Sequence, residues 1–297
     1  MNEKLAACPI CNRSGENRFL EGEDYFLSRE TFTITACSSC GFRYTNPRPT
    51  EESSGVYYQT DEYISHDAAK GGIIPTLYGI ARYFTLRSKF RIVKRYSPGK
   101  TLLDIGCGTG EFLNFCQTKG FDCTGVEPSD KARSFAQKTY NLEVKSDFLT
   151  EVNQNRQFDC ITLWHVLEHI HRLDETFVKL TKLLDKKGVL IVALPNSNSY
   201  DALHYGKFWA AYDLPRHIYH FTKDTLKTLA EKHHFACVKI IPQTLDAYYI
   251  SMLSEKYQTG SSNYVKAFFH GMLSNWKGRD PQLGHSSEIY ILKSKIV

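Results

Sequence analysis

The chain reads as an α/β protein: a mostly parallel, doubly wound sheet with helices on both faces, preceded by a small module built on paired cysteines. Three observations predict this. Short apolar strands alternate with helical stretches of about 10–15 residues from Gly99 onward. A glycine-rich turn follows the first of those strands. Two Cys-x-x-Cys pairs stand close to the N-terminus.

The length of 297 residues accommodates one large domain and a small extra module. The composition divides it into a cysteine module over 1–48, a linker and helical segment over 49–98, and the α/β domain over 99–297. Inserts are expected within that domain at about 196–221 and 246–286. A hydrophobic share of 42% is ample for a packed core. No apolar run approaches the roughly 20 residues of a membrane helix. The first residues carry no signal-like or transit-like pattern, so a cytoplasmic location is expected. A net charge of +5 is too small to imply a nucleic-acid partner by itself. Of nine cysteines, four fall in the two pairs, and Cys107, Cys116, Cys123, Cys160 and Cys237 are scattered through apolar segments, the pattern of a reduced protein.

In chain order, Thr31–Thr35 alternates as a strand between the cysteine pairs. Residues 49–70 are polar and broken by Pro49, Ser53, Ser54 and Gly55, as in a linker. Ile73–Tyr96 has helical spacing and stops at Pro98-Gly99. Thr101–Ile105 is strand, Glu111–Lys119 helix, Asp122–Val126 strand, and Ser129–Tyr140 helix with Ser129 as N-cap. Leu142–Lys145 and Phe158–Trp164 are strands, and Asp174–Leu184 is a helix ended at Gly188. Val189–Leu194 is a strand stopped by Pro195. Thr222–His233 is helix, and Cys237–Ile241 and Glu288–Lys293 are strands.

The first α/β strand runs into Asp104-Ile105-Gly106-Cys107-Gly108-Thr109-Gly110. Glycines at alternate positions permit unusual dihedrals and close approach of a ligand. Glu127 ends the next strand, 17 residues after Gly110, where a carboxylate can accept both hydroxyls of a ribose. The spacing differs from the G-x-G-x-x-G of pyrophosphate binders, and an anion would be a poor guest beside Asp104. A zwitterion with an ammonium group suits it. The run DIGCGTG followed by GVEPS resembles the S-adenosylmethionine (SAM)-binding motifs of class I methyltransferases, with a methyltransferase-23 or ubiquinone-biosynthesis-like core. The resemblance implies a Rossmann-like seven-stranded sheet with its last strand antiparallel. It implies SAM contacts at Asp104, Gly106, Cys107, Gly108, Gly110, Glu127, Pro128 and Trp164, with Asp147 on the adenine amine and Phe148 on its face.

Cys8-Pro9-Ile10-Cys11 and Cys37-Ser38-Ser39-Cys40-Gly41 are separated by 25 residues and resemble the two knuckles of a zinc ribbon. Four thiolates close the coordination sphere, so a zinc ion at Cys8, Cys11, Cys37 and Cys40 would be structural.

The strand ending at Trp164 continues into His165-Val166-Leu167-Glu168-His169, at the sheet edge where open α/β proteins bind ligands. A second histidine-bearing segment, Phe208–Phe221, includes His217. Three readings stand side by side. His165 or His217 is a general base toward an acceptor hydroxyl. Alternatively His165, Glu168, His169 and His217 bind a divalent metal, a set similar to the E-x-x-E-H site of small-RNA 2′-O-methyltransferases and ubiquinone O-methyltransferases, except that His165 replaces a glutamate. In the third, Glu168 and His169 only brace the loop.

Between Tyr78 and Tyr96 lie six cations and no acid, which fits either a phosphate-gripping surface or a solvated helix face, and the latter is the expectation. The function expected is methyl transfer from SAM to a small acceptor, mainly at oxygen, of sugar, lipid-precursor or secondary-metabolite type. The alternatives are an RNA methyltransferase and a non-catalytic SAM-binding module. The oligomeric state is not legible.

Overall fold

In the computed structural model, residues 1–58, 73–261 and 263–295 are described, with side chains from 84 onward in the first long helix. The expected linker residues 59–70, and the side chains of Tyr78, Arg82 and Tyr83, lie outside the described residues.

The cysteine-bearing segment comprises β1 (Asn2–Glu3), β2 (Glu16–Glu23), β3 (Thr31–Cys37), β4 (Arg43–Thr45) and β5 (Arg48–Pro49). The helix α1 (Ile73–Tyr96) leads into β6 (Thr101–Ile105), α2 (Glu111–Gln117), β7 (Asp122–Val126), α3 (Asp130–Tyr140), β8 (Glu143–Lys145), α4 (Phe148–Glu151), β9 (Phe158–Trp164), α5 (Leu173–Leu183) and β10 (Leu184–Pro195). Then follow α6 (Tyr200–Tyr205), β11 (Tyr219–His220), α7 (Lys223–Lys232), β12 (Phe235–Pro242), α8 (Asp246–Thr259), α9 (Tyr264–Lys277) and β13 (Ser287–Ser294).

Among the described residues the main sheet has seven strands in the order β12-β13-β10-β9-β6-β7-β8. The central pairs β10–β9, β9–β6, β6–β7 and β7–β8 are parallel, and β13 runs antiparallel between β10 and β12. The central stretches Cys160–Trp164 of β9 and Val189–Leu194 of β10 are buried throughout and apolar but for Thr162, as strands covered on both faces are. The order reverses at β6, so the loops after β6 and β9 face one crevice, the place where such sheets bind ligands.

Local chemistry fixes the helix starts. Ser129 caps α3 through the Ala132 amide, and Thr222 and Thr225 form a reciprocal cap on α7. The sheet carrying the cysteine pairs, β11-β4-β3-β2, takes its edge strand from β11 in the second half of the chain. Further ties are Arg43 Nη1 to the Ser197 carbonyl at 2.6 Å and Lys232 Nζ to the Ile10 carbonyl at 3.0 Å. One buried cluster joins Cys8, Ile10, Phe42 and Tyr44 to Leu226 and Leu229 of α7. No helix among the described residues is long and apolar enough to cross a membrane.

Candidate active site

The turn after β6 is held by its neighbour strand. The Gly106 and Cys107 amides both donate to the Val126 carbonyl, at 2.8 and 3.0 Å. Gly106, Gly108 and Gly110 all have positive φ. At Gly106 a Cβ would meet Val166 Cγ2 at 2.4 Å, whereas at Gly108 it would meet nothing within 4 Å. The loop is therefore packed from below and open above, a cradle that a ligand can approach to backbone distance.

Glu127 sits beside that opening. Its Oε2 accepts from the Gly108 amide and its Oε1 from the Ser129 amide, both at 2.9 Å. Each carboxylate oxygen retains acceptor capacity, so a pair of vicinal hydroxyls fits here. Burial pushes the Glu127 carboxyl up, against the lowering effect of those two amides. Pro128 is exposed next to it. Asp147 caps α4 with Oδ1, which takes the Leu149 and Thr150 amides, and its other oxygen is available to an amine. Phe148 is buried in the core, with Lys179 over its ring at 5.3 Å.

Asp104 lies deeper, 2% exposed, and accepts from Thr162 Oγ1 at 2.5 Å. Burial pushes its carboxyl up to about 7, despite Thr162 and the charge of Lys89. Lys89 is a residue the sequence reading assigned to a solvated helix face. It turns inward, with Nζ 4.8 Å from the Trp164 ring centre, and feels the charges of Asp104 and Asp246. The Trp164 indole N–H is buried without a hydrogen-bond partner among the described residues.

β9 delivers His165 in a left-handed conformation, φ 58°. Its amide donates to the Ala193 carbonyl at 3.0 Å. Its Nε2 is 3.2 Å from Asp246 Oδ2 and its Nδ1 3.6 Å from Glu168 Oε1. Burial opposes a charged imidazole, but the two acids outweigh it and push His165 up to about 9. Asp246, at the start of α8, is 81 residues away in sequence, and no local signal announced it.

Glu168 is 1% exposed, and neither carboxylate oxygen has a hydrogen-bond partner among the described residues. Around it stand His165, His169 and His217. Glu168 would be raised by burial, but these imidazoles hold it below the usual range. His217 Nδ1 meets the Ala211 carbonyl at 2.9 Å, which leaves Nε2 facing Glu168 at 4.0 Å and Asp213 at 3.9 Å. His169 Nδ1 meets the Arg216 carbonyl at 2.9 Å. Carbonyl acceptors on the Nδ1 side fix the ring orientations, as metal-binding imidazoles require. Glu168, His169 and His217 each offer a ligand atom, and these lie within 4.8 Å of one another. Asp213, also missed by sequence reasoning, is locked to Arg216, which also holds Asp24 of the cysteine module.

In the cysteine module all four sulfurs lie within 4.8 Å of one another. Cys8 and Cys40 are 3.6 Å apart, as are Cys11 and Cys37. A tetrahedron with Zn–S bonds of about 2.3 Å has edges of about 3.8 Å, so the four fit such an ion.

The methyltransferase-23 family, described as a methyltransferase domain, matches residues 81–240, more than half of the chain. The chain is 27% identical over 101 residues to a ubiquinone biosynthesis O-methyltransferase of Rickettsia bellii, covering 32% of this chain and 42% of that protein. It is 25% identical over 142 residues to the enzyme of the same name from Rhodopseudomonas palustris, covering 46% and 56%. The match thus spans about half the length of these curated relatives. In fold, the magnesium protoporphyrin IX methyltransferase of Synechocystis PCC 6803, solved with bound SAH, superposes with a TM-score of 0.52 at 13% identity, over 80% of this chain and 97% of that one. With the glycine cradle, its flanking acids and the seven-stranded order in place, the chain belongs to the methyltransferase-23 family of methyltransferase domains.

Proposed function

We propose that this chain transfers a methyl group from SAM to an oxygen of a small acceptor, at the crevice above β6 and β9. The observation that carries the cofactor assignment is the open Gly108 position beside the Glu127 carboxylate. Bound SAM supplies an electrophilic methyl on a sulfonium. Glu127 takes the ribose hydroxyls, Asp147 the adenine amine, and the turn Gly106–Gly110 lies against the amino-acid part. Asp104 and Lys89 set the charge beneath that turn. The chain's main contribution is alignment of acceptor and methyl donor, the largest effect available to an in-line displacement.

The acceptor side is the imidazole–carboxylate cluster. Glu168, His169 and His217 hold a divalent cation of the zinc or manganese type in this reading, because the buried Glu168 oxygens otherwise lack a donor among the described residues. Such an ion would acidify an acceptor hydroxyl bound to it. His165 has its Nε2 engaged by Asp246 at 3.2 Å and serves to position the loop rather than as the proton acceptor. The names of the ubiquinone relatives support an oxygen acceptor. The four cysteines hold a structural zinc, which keeps β3 and β4 in place to carry β11 and, through it, the His217 segment.

The test is S-adenosylhomocysteine formation over a panel of phenols, catechols and nucleotide sugars, with and without added Mn²⁺, together with Mn²⁺ binding by electron paramagnetic resonance. Methylated product whose yield falls in Glu168→Gln and His217→Ala, with loss of Mn²⁺ binding in both, is expected. Full activity in both variants contradicts the acceptor-side assignment.

A further inference from the structure

The helix α9 is amphipathic in the opposite sense to a normal surface helix. It buries its small residues, Ala267, Gly271 and Ser274, and turns its large apolar ones outward. Gly271 is required by the close approach of α8, since a Cβ there would meet the Cα of Tyr248 at 2.9 Å. On the open side stand Tyr264, Val265, Phe268, Phe269, Met272 and Trp276, with Val265 82%, Phe268 61% and Trp276 59% exposed. At 3.6 residues per turn these six fall within one arc of about 140°, which also holds the partly buried Asn275, bonded to the Thr244 carbonyl at 2.9 Å. Monomeric proteins rarely leave so much connected apolar surface in water.

The charges nearby choose the occupant. From Glu255 to Asp280 the chain carries four cations (Lys256, Lys266, Lys277 and Arg279) against two acids, Asp280 and Glu255, the latter paired with Lys266 at 3.1 Å, so the surroundings of the helix are net cationic. Lys277 lies over the Trp276 ring at 5.0 Å, so a cation borders the apolar arc directly. A second copy docked on the same face about a twofold axis would bring Lys277 and Arg279 toward their own counterparts across a net positive surface. A convex helix face offers no cavity for a small molecule. Aromatic rings and a methionine flanked by lysine and arginine match a bilayer interface with anionic headgroups.

We propose that α9 seats this protein on an anionic lipid bilayer, with the apolar arc in the headgroup–acyl boundary and Lys277 and Arg279 among the phosphates. Because α9 packs on α8, whose first residue Asp246 touches His165, docking would set the crevice beside the membrane surface. The inference is independent of the methyl-transfer reading, since it rests on surface residues alone.

The test is flotation of the full chain with vesicles of phosphatidylcholine, alone or mixed with phosphatidylglycerol. The wild type is expected to float with the anionic vesicles, less with neutral ones, and to be released by salt. Phe268→Glu with Trp276→Glu should stay behind while its circular dichroism and melting temperature are unchanged. Lys277→Gln with Arg279→Gln should weaken partitioning about 30-fold, since each surface cation is worth about 1 kcal/mol, or about fivefold. Failure of the wild type to float with either vesicle overturns the proposal. So does equal flotation of the glutamate variant. Sedimentation showing a dimer that the glutamate pair dissociates would also overturn it, by assigning the face to a second copy.

Discussion

Replacing Asp104 by asparagine should stabilise the protein at alkaline pH and cease to do so in acid. The carboxyl is raised from its ordinary 3.8 to about 7, chiefly by burial. A raised folded-state pKa means that the folded form holds the proton more tightly than the unfolded chain. Stability is therefore greatest below pH 3.8 and falls as pH rises through 7. Three units at 1.36 kcal/mol each give a cost of about 4 kcal/mol for the ionised form. Asparagine escapes that cost and its side-chain carbonyl keeps the Thr162 hydroxyl bond. Against this, its buried amide needs a partner, at about 1–3 kcal/mol, and Lys89 loses a counter-charge. The net gain should be roughly 1–3 kcal/mol at about pH 8, several degrees in Tm. It should shrink steadily below pH 7 and reverse near pH 4. Thermal denaturation of both proteins across that range, followed by circular dichroism, is the assay. A difference in Tm that does not change with pH, or one that grows toward acid, would refute the electrostatic reasoning.

Other consequences follow from the same geometry. Gly106→Ala should destabilise by about 2 kcal/mol or more, because a Cβ at φ 71° would meet Val166 Cγ2 at 2.4 Å; Val166→Ala in the same chain should restore part of the loss in chemical denaturation, though not the part due to backbone strain. Cys37→Ser should lose bound zinc by elemental analysis and, because β4 carries β11, should also lower the affinity of the His217 segment for Mn²⁺. Asp246→Asn should lower the pKa of His165 from about 9, visible as a shifted imidazole titration in NMR, since Asp246 is the closer of the two acids that hold it up.

The parts legible in the sequence are those whose chemistry is local. The turn Gly106–Gly110 and each cysteine knuckle place their groups within a few residues of one another, and the regular succession of strands brings Glu127 to the turn and one knuckle to the other. The alternation of strands and helices predicted the mostly parallel sheet and the resemblance its seven strands with the last one antiparallel, with most boundaries off by a residue or two and the strand expected from Val189 beginning already at Leu184. What stayed hidden is nonlocal. Nothing near Tyr219 says that two residues will complete the sheet of Arg43–Thr45. Lys89 stands among other cations in α1, and only its rotation toward Trp164 separates it from them. The helices α8 and α9 are not separated in the sequence from the insert that holds them. The large apolar residues of α9 do recur at helical spacing from Tyr264 to Trp276, but by its composition the segment reads as an aromatic-rich insert. The cluster at Glu168 was half legible. Glu168, His169 and His217 come together as expected, but His165, expected among the same ligands, stands outside that group and turns to Asp246, which like Asp213 comes from a distant segment.

Calorimetric titration of S-adenosylhomocysteine into the wild type and into Glu127→Ala tests the central claim most directly. The account predicts a saturable single site in the wild type. It predicts at least about a 100-fold weaker one in the variant, since two hydrogen bonds to an ionised carboxylate are worth about 1.5–3 kcal/mol each. A folded wild type that takes up no ligand, or a variant that binds as tightly as the wild type, would contradict it.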